Sequence, residues 1–266
     1  MIDMDSLPAD IFQRITGLAY SSDNVGMSSS TILLFDKMVL KVEEESRSSK
    51  HERLLLEWLD GKLPVPKIIE AVTRDGCSYL LMSRLPGEMA CSENNLRNID
   101  DTIAALAKGM KMLWDIDISN CPCSSTVADK LIQVKYDIEN NHIDMDNFDD
   151  ETFTTEGFRD IQDLYNFLDQ NRPAGDLVFS HGDYYLPNIF VSGRDITGFV
   201  DLGNGGISDR WQDIALCVRT LRSGYMGIAN RGEKEFARYK SLLFDELGLE
   251  PDEEKIRYFI LLYEFF

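Results

Sequence analysis

Positive charge is scarce in this chain. Its 27 lysines and arginines stand against 46 aspartates and glutamates, a formal charge of −19 over 266 residues. A surface of that sign repels nucleic acid and anionic membranes, so neither is an expected partner. The acidity fits either simple solubility or a cationic substrate drawn to an acidic cleft, and charge alone does not choose between them. Long apolar runs are missing too: none approaches the ~18 residues that a membrane span needs. The start, Met1-Ile2-Asp3-Met4-Asp5, is acidic and lacks the basic-then-apolar order of a secretory signal. Cysteine is sparse and odd in number, and Cys121-Pro122-Cys123 supplies only two of the four ligands of a structural zinc site. Reduced thiols in a cytoplasmic protein are the expectation. There is no internal repeat, no low-complexity segment and no Walker motif. Gly203-Asn204-Gly205-Gly206 misses the dinucleotide fingerprint, because the third glycine would fall at Ser208. A hydrophobic content of 44% is nevertheless enough for one large domain or two lobes with cores of their own.

What is present is concentrated in one stretch. Phe179-Ser180-His181-Gly182-Asp183-Tyr184-Tyr185-Leu186-Pro187-Asn188 is followed by Val200-Asp201-Leu202-Gly203. Leu177–Phe179, Ile189–Val191 and Ile196–Val200 read as short buried strands, with Asp183 and Asn188 in a loop and Asp201 at a strand end. An Asp, an Asn five residues on and a later Asp before glycine is the order in which protein kinases arrange phosphoryl transfer. The first Asp would accept the hydroxyl proton, and the Asn and second Asp would hold Mg²⁺, a hard ion that takes oxygen ligands.

The rest of the chain suits that reading. Leu7 to Ala19 reads as a helix after a Ser6 cap, with Pro8 in its first turn. Gly26–Ser30 is a turn ahead of two apolar runs, Thr31–Phe35 and Met38–Val42, which form a hairpin pattern. Backbone amides in that turn are suited to covering phosphates. Lys41 lies mid-strand, where burial is costly unless a negative partner meets it. The helix expected from Ser48 to Leu59 offers Glu52 and Glu57, and Glu52, nearer the helix start, is the better partner. An edge-strand lysine reaching water is the competing reading. Tyr79–Met82 reads as a strand broken at Ser83–Gly87, which places a boundary between residues 1–84 and 85–266. Ile99–Asp115, Gln162–Leu168, a segment opening at Trp211 and Ile256–Tyr263 read as helices. Asp144–Glu151 holds five acids and reads as a solvated loop or as one wall of a cation-binding cleft.

With these residues in view, the chain resembles the aminoglycoside phosphotransferases, in particular the 3′-hydroxyl kinases of kanamycin and neomycin. The likeness spans essentially the whole length. It is carried by Gly61–Lys67, Leu81-Met82-Ser83, Asp115–Ser119, the His181–Asn188 loop, Asp209–Ala215 and the ending Glu264-Phe265-Phe266. The resemblance implies an α+β, protein-kinase-like bilobal fold, with a small antiparallel-sheet N-terminal lobe and a larger, mostly helical C-terminal lobe. It implies ATP with Mg²⁺, GTP staying open as the nucleotide. Asp183 would be the catalytic base, and Asn188 and Asp201 the metal ligands. Lys41, supported by Glu52, would meet the phosphates, Met27 and Ser28 would cap them, and Ser83 and Leu85 would present backbone to adenine. Arg219, Glu264 and the Phe266 carboxylate would line the antibiotic side, with the loop carrying Asn147 and Asp149 closing it. Three positions depart from the pattern. Asn204 stands for an Arg, Tyr263 for an Asp, and Val39 for a Tyr that stacks on adenine in one branch. A kinase for a macrolide, a choline-like amine or a sugar would share Lys41, Asp183, Asn188 and Asp201, and a non-catalytic pseudokinase would be expected to have lost one of them. Either a monomer or a weak homodimer fits.

Overall fold

A computed structural model of the chain describes residues 7–23, 30–223 and 232–266. By compactness it groups into two units: Met1–Leu106 with Leu186–Asn204, and Ala107–Tyr185 with Gly205–Phe266. Residues 186–204 join the first unit although they lie far along the chain. The physical reason is strand pairing: β6 (Glu88–Met89), β8 (Ile189–Ser192) and β9 (Asp195–Phe199) form one antiparallel sheet, which carries residues 186–204 into the first unit.

The first unit is built on a five-stranded antiparallel sheet in the order β1-β2-β3-β5-β4. Its strands are Ser21–Asp23, Thr31–Leu34, Met38–Glu44, Cys77–Ser83 and, at the far edge, β4 Ile68–Arg74. Helix α1 (Ala9–Ile15) lays Ile11 and Ile15 against Leu33, Phe35, Leu40 and Leu81, all buried. Burial of each such side chain stabilises the unit by roughly 1.5–3 kcal/mol. The helix is shorter than the 7–19 expected: Gly17 takes φ +76, a left-handed conformation that ends it, and the expected Ser6 cap lies outside the described residues. Helix α2 (Arg47–Leu59) starts on a capping box, in which Ser46 accepts from Ser49 N and Ser49 Oγ accepts from Ser46 N. Its buried face carries Ser49, Glu52, Leu55, Leu56 and Leu59. Glu52 is on that face, whereas Glu57 is exposed and pairs with Arg53. Helical phase thus selects Glu52, a better reason than nearness to the helix start.

The second unit is helical around one two-stranded ribbon, in which β7 (Leu177–Ser180) pairs antiparallel with β10 (Gly206–Asp209). Its longer helices are α5 (Val127–Glu139), α7 (Ile161–Gln170), α8 (Arg210–Ser223), α9 (Gly232–Leu247) and α10 (Glu253–Tyr263); α4 (Ile99–Trp114) crosses from one unit into the next. Helices α5 and α9 had no counterpart in the sequence reading, although Thr126 and Asp129 form a capping box at the start of α5. The acidic stretch is more ordered than a loop. It forms a 3₁₀ turn at Met145–Asn147, capped by Asp144, and a short helix α6 (Asp150–Thr154). Phe148 anchors it against Phe153 and Phe265, at ring separations of 5.5 and 5.1 Å.

Candidate active site

In the first unit, Lys41 sits on β3 opposite Ile32 of β2 and Leu80 of β5, a position that buries its stem. Its ammonium meets Glu52 at 2.7 Å, Asp201 at 3.1 Å and Glu43 at 3.4 Å. Burial alone would lower the Lys41 pKa, but Glu52, Asp201 and Glu43 together push it above its ordinary value. Lys41 is therefore a fixed cation, and the edge-strand alternative is excluded. Burial pushes the Glu52 carboxyl up, and the Lys41 ammonium works against that. One ammonium among three carboxylates leaves the cluster negative, with Asp201 the exposed member at 44% side-chain accessibility.

Two features fix Asp201 in place. Its backbone lies at φ +59, in the left-handed region that non-glycine residues seldom adopt and that recurs at functional positions. Behind it, Gly203 is packed so tightly on α2 that an added Cβ would come within 2.0 Å of Ser48 Oγ. Asn188 ends a 3₁₀ turn, Leu186–Asn188, and its carbonyl accepts from Val200 N at 3.0 Å, which ties it to the strand leading into Asp201. A cavity of about 230 Å³ is lined by Lys41, Glu52, Asn188 and Asp201 together with Val39, Met82, Ser83 and Leu85. The Ser83 N–H donates to Lys67 O and its Oγ accepts from Lys67 N. Leu85 packs on Gly198 of β9, where a Cβ would come within 2.2 Å of its Cδ1, and Thr197 donates to Pro86 O. Met27 and Ser28 lie outside the described residues.

In the second unit, Asp183 follows β7 in a loop held from below by α8. Asp213, fully buried, accepts from Ser180 Oγ at 2.9 Å, His181 N at 2.9 Å and Gly182 N at 3.0 Å. Gln212 donates to Gly182 O, and Gly182 takes φ +82, so the chain turns sharply just before Asp183. Burial pushes the Asp213 carboxyl up to about 6, with its three donors opposing the rise. Asp213 and Gln212 fall in the Asp209–Ala215 block that carries the resemblance, which by itself assigns them no role. Asp183 Oδ1 accepts a 2.6 Å hydrogen bond from Tyr263 Oη, at the last residue of α10.

The expected substrate-side residues lie in the same unit. Arg219 pairs with Asp149 at 2.9 Å, Asn147 is exposed, and Glu264 is buried, accepting from Thr152 Oγ1 at 2.7 and 2.9 Å. Burial raises the Glu264 carboxyl to about 7; Thr152 and Arg219 oppose the rise, while Asp149 and Glu156 add to it. Phe266 presents its ring to the Lys130 ammonium at 4.6 Å.

A buried strand lysine on a helix glutamate, beside an Asn and an Asp, is the arrangement with which kinases hold phosphates and metal. Solved structures agree on the fold. An aminoglycoside phosphotransferase from Streptomyces rimosus superposes with a TM-score of 0.81 at 20% identity, over 100% of this chain and 99% of that one. An aminoglycoside-3′-phosphotransferase of type VIII superposes with a TM-score of 0.78 at 25% identity, over 99% of each chain. The expected α+β, kinase-like fold is the one observed. An aminoglycoside 3′-phosphotransferase of Enterococcus faecalis is 40% identical over 221 residues, 82% of this chain and 78% of the relative. The profile of the phosphotransferase enzyme family matches residues 21–246, and the chain belongs to that family, within its aminoglycoside 3′-phosphotransferase branch.

Proposed function

We propose that this enzyme transfers the γ-phosphoryl group of ATP to the 3′-hydroxyl of an aminoglycoside, a modification that confers antibiotic resistance. The observation that carries the reading is the Lys41 cluster, a fixed ammonium bonded to both Glu52 and Asp201. Lys41, braced by Glu52, pairs with the nucleotide phosphates, while the Ser83 and Leu85 backbone meets adenine. Met27 and Ser28 belong to the proposed phosphate cap by resemblance. The donor set suits magnesium: an amide oxygen from Asn188 and a carboxylate from Asp201, within a cluster that carries excess negative charge. Among the described residues no group of three His, Cys, Asp or Glu side chains is placed to hold a metal unaided, which fits an ion completed by phosphate oxygens. Bound there, Mg²⁺ would neutralise charge on the phosphates.

Asp183 accepts the proton of the attacking hydroxyl. Phosphoryl transfer asks little covalent chemistry of the protein, so a positioned base and a held nucleotide suffice. The acceptor is a polycation. Asp149, Glu264 and the Asn147 turn supply carboxylates and an amide for its ammonium and hydroxyl groups, and Arg219 keeps Asp149 in place. ADP release measured across kanamycin, neomycin, a macrolide and choline tests the assignment. Turnover with the two aminoglycosides and background with the others is expected. Turnover only with the macrolide or with choline overturns the substrate class, and none with any acceptor overturns the activity.

A further inference from the structure

We infer that Tyr263 is a positioning residue for the general base: its hydroxyl holds Oδ1 of Asp183 and so sets the direction in which that carboxylate faces an acceptor hydroxyl. The inference rests on the reading of Asp183 as the base. It adds a residue that enters the site in place of the carboxylate expected at position 263.

Three observations converge on it. First, the clamp from Asp213 and Gln212 holds the backbone ahead of Asp183, and Tyr263 adds a bond to the carboxylate itself. The Tyr263 bond, at 2.6 Å, has the short length of a hydroxyl donating to a charged oxygen. Second, the donor stands on a rigid element. Phe259, Leu261 and Leu262 of α10 are buried, and the Tyr263 ring packs against Tyr185 at 5.5 Å with the Arg219 guanidinium 5.9 Å away. Third, the hydroxyl remains a donor across working pH. Burial, then the Asp183 charge and Tyr185, hold its own ionisation far above the ordinary phenol range, and Arg219 only partly offsets them. Tyr185, Arg219 and Asp183 are the titratable groups facing the phenol, and Asp149 reaches it through Arg219.

A hydrogen bond donated to a carboxylate favours its ionised form. Removing the donor should therefore loosen the base and raise the pH at which it takes up a proton. Tyr263→Phe keeps the ring and deletes only the hydroxyl. Its kcat with kanamycin is expected to fall about tenfold, the size of a misaimed rather than a missing base, with the KM for ATP unchanged. In parallel, the Asp183 carboxyl, labelled with carbon-13 and assigned by its disappearance in Asp183→Asn, is titrated by NMR without substrate. Its midpoint should move upward in Tyr263→Phe by about one pH unit. In a variant carrying 3-fluorotyrosine at 263, a stronger donor of nearly the same shape, it should move downward. Wild-type kcat together with an unmoved midpoint in Tyr263→Phe overturns the inference. If that variant does not fold, an unmoved midpoint in the fluorinated protein does so alone. A midpoint that moves as expected in an enzyme that phosphorylates no aminoglycoside sustains the contact and sinks the functional reading instead.

Discussion

The two units hold their functional carboxylates in opposite ways. In the first, Glu52 and Asp201 converge on one ammonium, Lys41, at 2.7 and 3.1 Å. In the second, the carboxylates of Asp183, Asp213 and Glu264 are held by hydroxyls and backbone amides: Tyr263, Thr152, Ser180 and the loop around Gly182. On the proposed function, the difference follows from what each half would bind. A nucleotide brings negative phosphates, so its site needs a cation that is already fixed. An aminoglycoside would bring ammonium groups, and the carboxylates proposed for its side are held by neutral donors, Asp183 by Tyr263 and Glu264 by Thr152, with the Glu264 charge withheld by burial until pH rises through about 7. Arg219 marks the limit of this contrast. It sits in the second unit and spends its charge on exposed Asp149.

Substitutions can break this comparison, beginning with the largest effect. Asp183→Asn should lower turnover by about 10²–10⁴, the usual cost of a lost general base. ATP affinity should be unchanged, because the residues lining the nucleotide cavity all belong to the first unit. Turnover by stopped assay and nucleotide binding by calorimetry give the two numbers, and a variant at half the wild-type rate excludes Asp183 as the base.

Lys41→Met comes next. It leaves Glu52 buried without its partner, and breaking such a pair costs about 3–5 kcal/mol of stability as well as ATP use. Adding Glu52→Leu should recover most of the stability, measured by denaturant unfolding, and none of the activity. Recovery of activity in the double variant would mean that the ammonium serves the fold rather than the phosphates.

The smallest effect sharpens the second half of the comparison. Burial holds Glu264 near 7 against an ordinary 4.5, so its charge appears as pH rises through about 7. The KM for kanamycin should fall over that interval in the wild type and lose this fall in Glu264→Gln. The stability effect has the opposite sense. A carboxyl whose pKa is raised on folding contributes stability that is fully present below 4.5 and is lost as pH climbs through about 7. Thermal scans of wild type and Glu264→Gln should therefore diverge across that window, with the wild type showing the steeper decline.

Much of this was legible in the sequence where local chemistry decides. Lys41 between Leu40 and Val42 pointed to a buried anion unless the strand lay at an edge, and strand ends read at Phe179 and Val200 left Asp183 in a loop and Asp201 at a strand end. The order Asp183, Asn188, Asp201 carried the kinase reading by itself. What the sequence hid depends on side chains meeting across many residues. Asp213 lies 30 or more positions from the loop it clamps, and no period or turn signal marks it as an acceptor for three donors. Tyr263 was visible only as a departure from a pattern, and its bond to Asp183 spans 80 residues. Glu264 was assigned by resemblance to ammonium binding, while its burial and its Thr152 partner came only with the fold. The pairing of β6 with β8 was hidden for a similar reason, since it crosses a sequence gap that local patterns do not bridge.

The central claim is transfer of a phosphoryl group from ATP to the 3′-hydroxyl of an aminoglycoside. It is tested most directly by offering the enzyme γ-labelled ATP with kanamycin and, separately, with its 3′-deoxy derivative. The account predicts stoichiometric label in kanamycin, located at the 3′ oxygen by phosphorus–proton NMR correlation, and none in the deoxy compound. Equal labelling of the two, or an unlabelled kanamycin, would contradict it.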